Sequence, residues 1–252
     1  MTAYVANPDA WQESWDRQQE AYLPDREQRI AAMLDAVDAV TGGAPPRLLD
    51  LAGGTGTISL RTLARFPGAE VTVVDQDPAL LAIARAFLHE QKAGRVLAAD
   101  LNEPRWADGH TGYDAVLTAT ALHWLPGDRV AALYREIHGA LRDGGIFVNA
   151  DHMPDDDLPG LTKRLLDRAA AKRAARYHAG AAYSWSDWWA LPAADETLGP
   201  LVAERQRIYP SAGHNEWTPP ASWHIAALRD AGFTEAGVLW RGGADAAVIG
   251  LK

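Results

Sequence analysis

The stretch Leu48-Leu49-Asp50-Leu51-Ala52-Gly53-Gly54-Thr55-Gly56-Thr57 decides the fold. An apolar run broken by one aspartate reads as a strand, and a helical pattern from Ile58 to Phe66 follows at once. A glycine-rich turn between strand and helix lets a ligand approach the backbone amides at the helix start, because no side chain blocks the way. Outward from that turn, short apolar runs alternate with helical segments, the pattern of strands joined by crossover helices in a parallel sheet. Strands are expected at 47–51, 70–75, 95–99, 113–118 and 145–150, with helices at 58–66, 78–91 and 128–141. Five strands with helices between them make a doubly wound α/β sheet. A further helix at 223–231 leads to strands at 236–241 and 244–251, so the sheet is mostly parallel with an antiparallel C-terminal strand.

Upstream, Asn7-Pro8-Asp9 reads as a cap followed by Pro at the first helical position. That helix places Trp11, Trp15 and Tyr22 on one face. A second helix after Leu23-Pro24-Asp25 carries Ile30, Met33, Leu34 and Val37 at core-facing spacing and ends at Gly42-Gly43. From Asp151 to about Pro220 the strand signal lapses, and the chain is helical and rich in tryptophan. The expected organisation is an N-terminal helical lid over 1–46, a sheet domain over 47–151 and 221–252, and an inserted helical cap over 152–220.

The 252 residues are 48% apolar and 23% charged with a net charge of -9, a balance that buries a core and excludes a disordered tail. With no cysteine, disulfide frameworks and thiolate sites are excluded. No uncharged apolar run approaches the roughly 18 residues of a spanning helix, and no basic region followed by an apolar stretch opens the chain. The expectation is a cytoplasmic protein without membrane contact. Net acidity argues against a nucleic acid partner and for a small molecule.

Read as a dinucleotide fingerprint, the loop supplies Gly54 and Gly56, but the third glycine position falls on Ser59. Asp50, just below the loop, would repel a pyrophosphate and suits a ligand with an ammonium group. The second strand ends at Asp75, where an acidic residue accepts from ribose hydroxyls, with Gln76 next. The third ends in Ala99-Asp100-Leu101, an acidic-apolar pair fit for an adenine amino group and one ring face. Three carboxylates at successive strand ends match an amino acid, a ribose and a base.

With those residues in view, the sequence resembles the class I S-adenosylmethionine-dependent methyltransferases over roughly residues 47–151 and 223–251. The resembling stretches are Leu49 to Gly56, Val73-Val74-Asp75-Gln76-Asp77-Pro78 and Ala99-Asp100-Leu101. They continue in Tyr113-Asp114-Ala115-Val116, Ala121-Leu122-His123-Trp124-Leu125 and Leu141-Arg142-Asp143-Gly144-Gly145. The resemblance implies a Rossmann-like domain that binds S-adenosyl-L-methionine and releases S-adenosyl-L-homocysteine. Asp50 and the Gly54-Gly56 turn would take the methionine end, Asp75 the ribose, and Asp100 and Leu101 the adenine; Ala52, Gln76 and Thr118 are counted with them as cofactor-binding. Ala52 stands where the family usually has its first glycine.

Ligands of open sheets sit beyond the carboxyl ends of the strands, so residues 118–124, 151–153 and the cap should meet the methyl acceptor. A phenol or protonated amine must lose a proton, which a histidine can take. His123 is the first candidate base, with His152 and His214 behind it; the even alternative is that His123 only shapes the pocket. Tyr22, Trp124, His152, Trp185 and His214 are expected to face a small apolar or aromatic acceptor. The basic run Lys163, Arg164, Arg168, Lys172, Arg173 and Arg176 reads as a solvated helix face. Its alternative, RNA methylation, lacks interleaved aromatics before Tyr177. Another alternative is a protein that binds the cofactor without transferring its methyl group. Consecutive Asp155-Asp156-Asp157 should point in different directions, so no metal is assigned.

Overall fold

The protein is described from a computed structural model, in which residues 5–23, 25–91, 94–104, 106, 109–209 and 216–252 are placed. The chain opens with helices α1 (Pro8–Tyr22) and α2 (Arg26–Thr41). It then alternates β1 (Arg47–Leu51), α3 (Thr57–Arg65), β2 (Glu70–Asp75), α4 (Pro78–Gln91), β3 (Gly94–Ala98), β4 (Tyr113–Ala119), α5 (Gly127–Ala140) and β5 (Leu141–His152). Helices α6 (Pro159–His178), α7 (Trp185–Ala194), α8 (Gly199–Ile208) and α9 (Ala221–Asp230) precede β6 (Glu235–Gly242) and β7 (Asp245–Leu251).

The sheet order is β3-β2-β1-β4-β5-β7-β6. Strands β1 to β5 pair in parallel, and β7 runs antiparallel to both β5 and β6. After β3 the chain returns to place β4 beside β1. The reversal of winding at β1 and β4 leaves a crevice beyond their carboxyl ends, because the connections there leave in opposite directions.

Side chains alternate across a strand, so each face of the sheet has its own core. Leu48, Val73, Leu117 and Val148 pack with Ile30, Met33 and Val37 of α2, Ile58 of α3 and Leu81 and Leu88 of α4. Leu49, Leu51, Val116 and Phe147 face the other way, onto Val130, Leu133 and Ile137 of α5 and Leu228 of α9. A third cluster lies outside α4, where Ala79, Leu80 and Ile83 meet Trp15 of α1, Trp188 and Trp189 of α7, and Leu198 and Val202 around α8. The Trp15 and Trp188 ring centroids are 4.7 Å apart, edge to face.

One local reading is extended and one is corrected. The buried face of α1 carries Gln12, Trp15, Gln18 and Ala21, whereas Trp11 and Tyr22 are only half-buried. Gln12 is inside because its Nε2 donates to Thr57 Oγ1 at 2.9 Å, at the start of α3. The fifth strand begins at Leu141, well before Gly145: Leu141 pairs with Tyr113, and residues 142–145 bulge out before pairing resumes at Ile146.

Helix α6 is exposed along nearly its whole length, with Thr162 its one buried side chain. It touches α1 through Tyr177 against Tyr22 and Arg173 over the Tyr22 ring. The basic run is therefore solvated, as its spacing suggested. Among the described residues no helix is long and apolar enough to cross a membrane.

Candidate functional site

The glycine turn is built around Asp50. This carboxylate has no exposed surface, and its Oδ2 accepts from the Ser59 amide and hydroxyl, both at 2.9 Å. Its Oδ1 has no partner. Asp50 therefore lies beneath the loop and fixes it by holding the first turn of α3, with one lone-pair oxygen left over for a donor entering from the loop side. Burial pushes its carboxyl up to about 6, against the pull of the two Ser59 hydrogen bonds. Gly53 presses on it: an added Cβ would stand 2.6 Å from Asp50 Cγ. Gly54 and Gly56 take left-handed φ of 56° and 83°.

Ala52 shares that left-handed geometry at φ 52°, a conformation that costs a residue with a Cβ about 1 kcal/mol. Ala52→Gly is therefore expected to leave the fold intact and change stability by between zero and about +1 kcal/mol, relieved strain being offset by chain entropy. Urea denaturation checks this; a loss above about 1 kcal/mol would show that the methyl group is needed for packing.

Asp75, at the tip of β2, is half-buried. Its Oδ2 accepts from the Gly54 amide at 2.9 Å and its Oδ1 from the Asp77 amide at 2.8 Å. A carboxylate has about four lone-pair sites, and with the Gln76 amide also acting on this one, part of that capacity is left to a ligand. Burial, with the nearby Asp77 charge, raises this carboxyl to about 6, while the amides of Asp77 and Gly54 hold it back. Asp100 Oδ1 accepts from the Asn102 amide and side chain. Leu101 is buried beside it, with its carbonyl taken by Arg129. Thr118 is wholly buried and its hydroxyl has no partner. The three carboxylates thus stand at the carboxyl ends of adjacent strands β1, β2 and β3, Asp50 buried beneath the glycine turn and Asp75 half-buried beside it. An unpartnered Asp50 oxygen, a side-chain-free Gly53 and open lone pairs on Asp75 fit an ammonium, a close backbone approach and a diol.

Across the crevice, β4 ends in a strained turn, with Thr120 at φ 52° and its amide on the Ala150 carbonyl at 2.8 Å. The turn aims the short 3-10 helix Leu122–Trp124 back at the tip of β5. His123 Nδ1 lies 2.7 Å from Asp151 Oδ1, and its amide donates to Oδ2 at 3.3 Å. Burial would raise the Asp151 carboxyl, but the hydrogen bond and charge of His123, helped by His152, outweigh it and hold it below the usual range. An ionised carboxylate only accepts, so Nδ1 is a protonated position, and in the neutral imidazole the lone pair is then on Nε2. A parallel pair stands beside it. His152 Nδ1 is 2.7 Å from Asp245 Oδ1, Arg29 donates to Asp245 Oδ2 at 2.7 Å, and the two imidazole centroids are 5.5 Å apart. The bond to Asp245 raises the His152 pKa despite burial.

Of the aromatic residues expected around the acceptor, Trp124 is 49% exposed with its ring 4.8 Å from His123. Trp185 packs instead with Trp15 and Trp189, and Tyr22 with Tyr177; no contact among the described residues joins them to His123. His214 lies outside the described residues. Reading along the chain did not foresee that the Trp217 amide donates to the His123 carbonyl, at 2.8 Å. It also missed Arg26, which ties Thr57 to Asp16 at distances of 2.8 and 2.6 Å. The aspartate triplet is corrected too. Carboxylate oxygens of Asp155, Asp156 and Asp157 approach within 4.8 Å of one another rather than splaying. Their partners are protein groups: Asp155 accepts from the Asp157 amide and Asp156 from Ser222.

A family profile described as a methyltransferase domain matches residues 49–147. The chain is 32% identical over 216 residues to trans-aconitate 2-methyltransferase of Methylobacterium nodulans, covering 81% of this chain and 77% of that protein. It is 35% identical over 122 residues to the ubiquinone/menaquinone biosynthesis C-methyltransferase of the same organism, spanning 46% of that relative's length. The solved structure of human N-acetylserotonin methyltransferase with its cofactor aligns with a TM-score of 0.59 over 96% of this chain and 57% of that one, at 16% identity.

Proposed function

Because this chain belongs to the S-adenosylmethionine-dependent methyltransferases, we propose that it methylates an oxygen, nitrogen or carbon of a small, apolar or aromatic organic acceptor, with His123 as general base. The observation that carries this reading is the buried His123–Asp151 pair at the crevice, its 2.7 Å bond leaving Nε2 as the acceptor of a proton. S-adenosylmethionine supplies a methyl group activated by attachment to a sulfonium. Asp151 fixes the imidazole tautomer, His123 takes the proton that the acceptor loses, and Trp124 offers a flat wall beside it. Residues 1–46 and 152–220 would enclose the acceptor and exclude water. One relative is named for trans-aconitate and the other for C-methylation in quinone biosynthesis; both support a small organic acceptor and leave the accepting atom open.

Asp151→Asn tests the base. An amide can donate to Nδ1, which moves the imidazole proton to Nε2 and removes the lone pair facing the crevice. The rate of methyl transfer should fall ~10²–10⁴-fold with cofactor affinity unchanged. A loss under threefold would make the pair a pocket-shaping element only. The acceptor itself is found by incubating the protein with methyl-labelled cofactor and a metabolite extract. A labelled small product supports the reading, whereas label in RNA, or none despite bound cofactor, contradicts it.

A further inference from the structure

The tip of β2 is reached by α8 as well as by the glycine turn. Arg205 Nε donates to Asp77 Oδ2 at 2.6 Å, with side chains 18% and 3% exposed. Asp77 uses its other oxygen to cap α4 through the amides of Ala79 and Leu80, and its own amide holds Asp75. The Arg205 guanidinium lies over Trp189 at 3.9 Å and over the Tyr209 ring at 5.0 Å. It is thus fixed by a carboxylate on one side and aromatic faces on the others.

Tyr209 follows α8 directly, its amide on the Arg205 carbonyl at 2.9 Å, and is half-buried. Its ring lies 5.0 Å from the Arg205 guanidinium, which is itself bonded to Asp77, whose amide holds Asp75 at the tip of β2. Burial, reinforced by those two charges, raises the phenol, so it stays protonated and available as a donor. Asp75 is the residue assigned to the ribose, with Gln76 next to it. A phenol at that point adds a hydroxyl and a flat apolar face to the nucleoside pocket, from an element outside the sheet.

We infer that Tyr209 is a cofactor-contact residue and that Arg205 positions it, so that residues 205–209 form a wall of the nucleoside end of the site. The inference rests on the cofactor reading above and assigns to this segment a role distinct from shaping the acceptor pocket. Arg205 acts through two partners: removing it leaves the Asp77 carboxylate without its cation and takes away the cation over the Tyr209 ring.

Calorimetric titration with S-adenosylhomocysteine, and with adenosine as the fragment that lacks the amino acid, tests this. Tyr209→Phe removes only the hydroxyl and should weaken both ligands about threefold to tenfold; Tyr209→Ala should weaken both about thirtyfold. Arg205→Met should match Tyr209→Ala, Arg205→Lys should recover part of the affinity, and the double variant should be no worse than the weaker single one, because the two residues act as a unit. A variant with a lowered melting temperature is set aside, and Tyr209→Phe, which deletes one oxygen, still decides the question. Unchanged affinity for both ligands in Tyr209→Phe and Tyr209→Ala overturns the inference, as does a loss for S-adenosylhomocysteine that adenosine does not share. Failure of the unaltered protein to bind S-adenosylhomocysteine would overturn the cofactor reading instead.

Discussion

Replacing Asp75 with alanine is expected to lower affinity for S-adenosylmethionine by about two orders of magnitude or more. The carboxylate keeps lone-pair capacity for ribose hydroxyls, and each hydrogen bond to a charged group is worth ~1.5–3 kcal/mol, or about tenfold to a hundredfold. It also ties the Gly54 amide to the turn before α4. Loss of the side chain therefore removes ligand contacts and loosens the glycine loop together. Calorimetry measures the effect, and a change under fivefold would put the ribose elsewhere. The pH dependence follows with a definite sign. Hydroxyls donate to the ionised carboxylate, and the Asp75 pKa stands at about 6 without ligand, so affinity should fall as pH drops below about 6, by up to tenfold per unit for one proton. Asp50 titrates in the same window. A slope steeper than one proton would report both groups, and Asp75→Asn should remove one of them. For the ligand-free protein the sign reverses. A carboxyl raised by folding contributes stability at low pH that is lost as pH rises from 3.8 to about 6, so these two groups favour unfolding at neutrality until a ligand's donors reach them.

Gly53→Ala is the second large effect. Its Cβ would stand 2.6 Å from Cγ and 2.7 Å from Oδ1 of Asp50, a carboxylate wholly buried and held by Ser59. Either the loop rises, closing the approach to its amides, or Asp50 turns away and abandons the first turn of α3. Overpacking of this kind costs ~1–3 kcal/mol of stability, and either movement should reduce cofactor binding at least tenfold. Binding and urea denaturation measured on one preparation check it. A variant with normal affinity and stability would mean that the loop is pliant, and the account of Asp50 as its anchor would fail.

The difference between Gly53 and its neighbours shows what the chain discloses by itself. Gly54 and Gly56 were singled out by the strand-turn-helix pattern, and their left-handed φ gives the reason. Gly53 has no such φ; its role comes from a contact with a side chain, which spacing does not reveal. Strands at 47–51 and 70–75 and the helix at 78–91 were legible to the residue because apolar runs there stop at Gly, Asp or Pro. The beginning of β5 was hidden, since Asp143-Gly144-Gly145 reads as the end of a helix and serves here as a bulge. The buried Gln12 of α1 was hidden because a hydrophobic periodicity cannot anticipate a glutamine matched to Thr57. Asp50, Asp75, Asp100 and His123 were named from position along the strands, whereas Arg205 and Asp77 meet across 128 residues of sequence, a pairing that only the folded chain reveals.

The most direct measurement is a crystal structure with S-adenosylhomocysteine. The account predicts the ligand along the crevice at the tips of β1, β2 and β4, its ribose hydroxyls on Asp75, its amino acid end over the Gly53-Gly54 turn, and its sulfur on the side facing His123. A ligand lodged away from these tips, or a ribose that leaves Asp75 untouched, would contradict it.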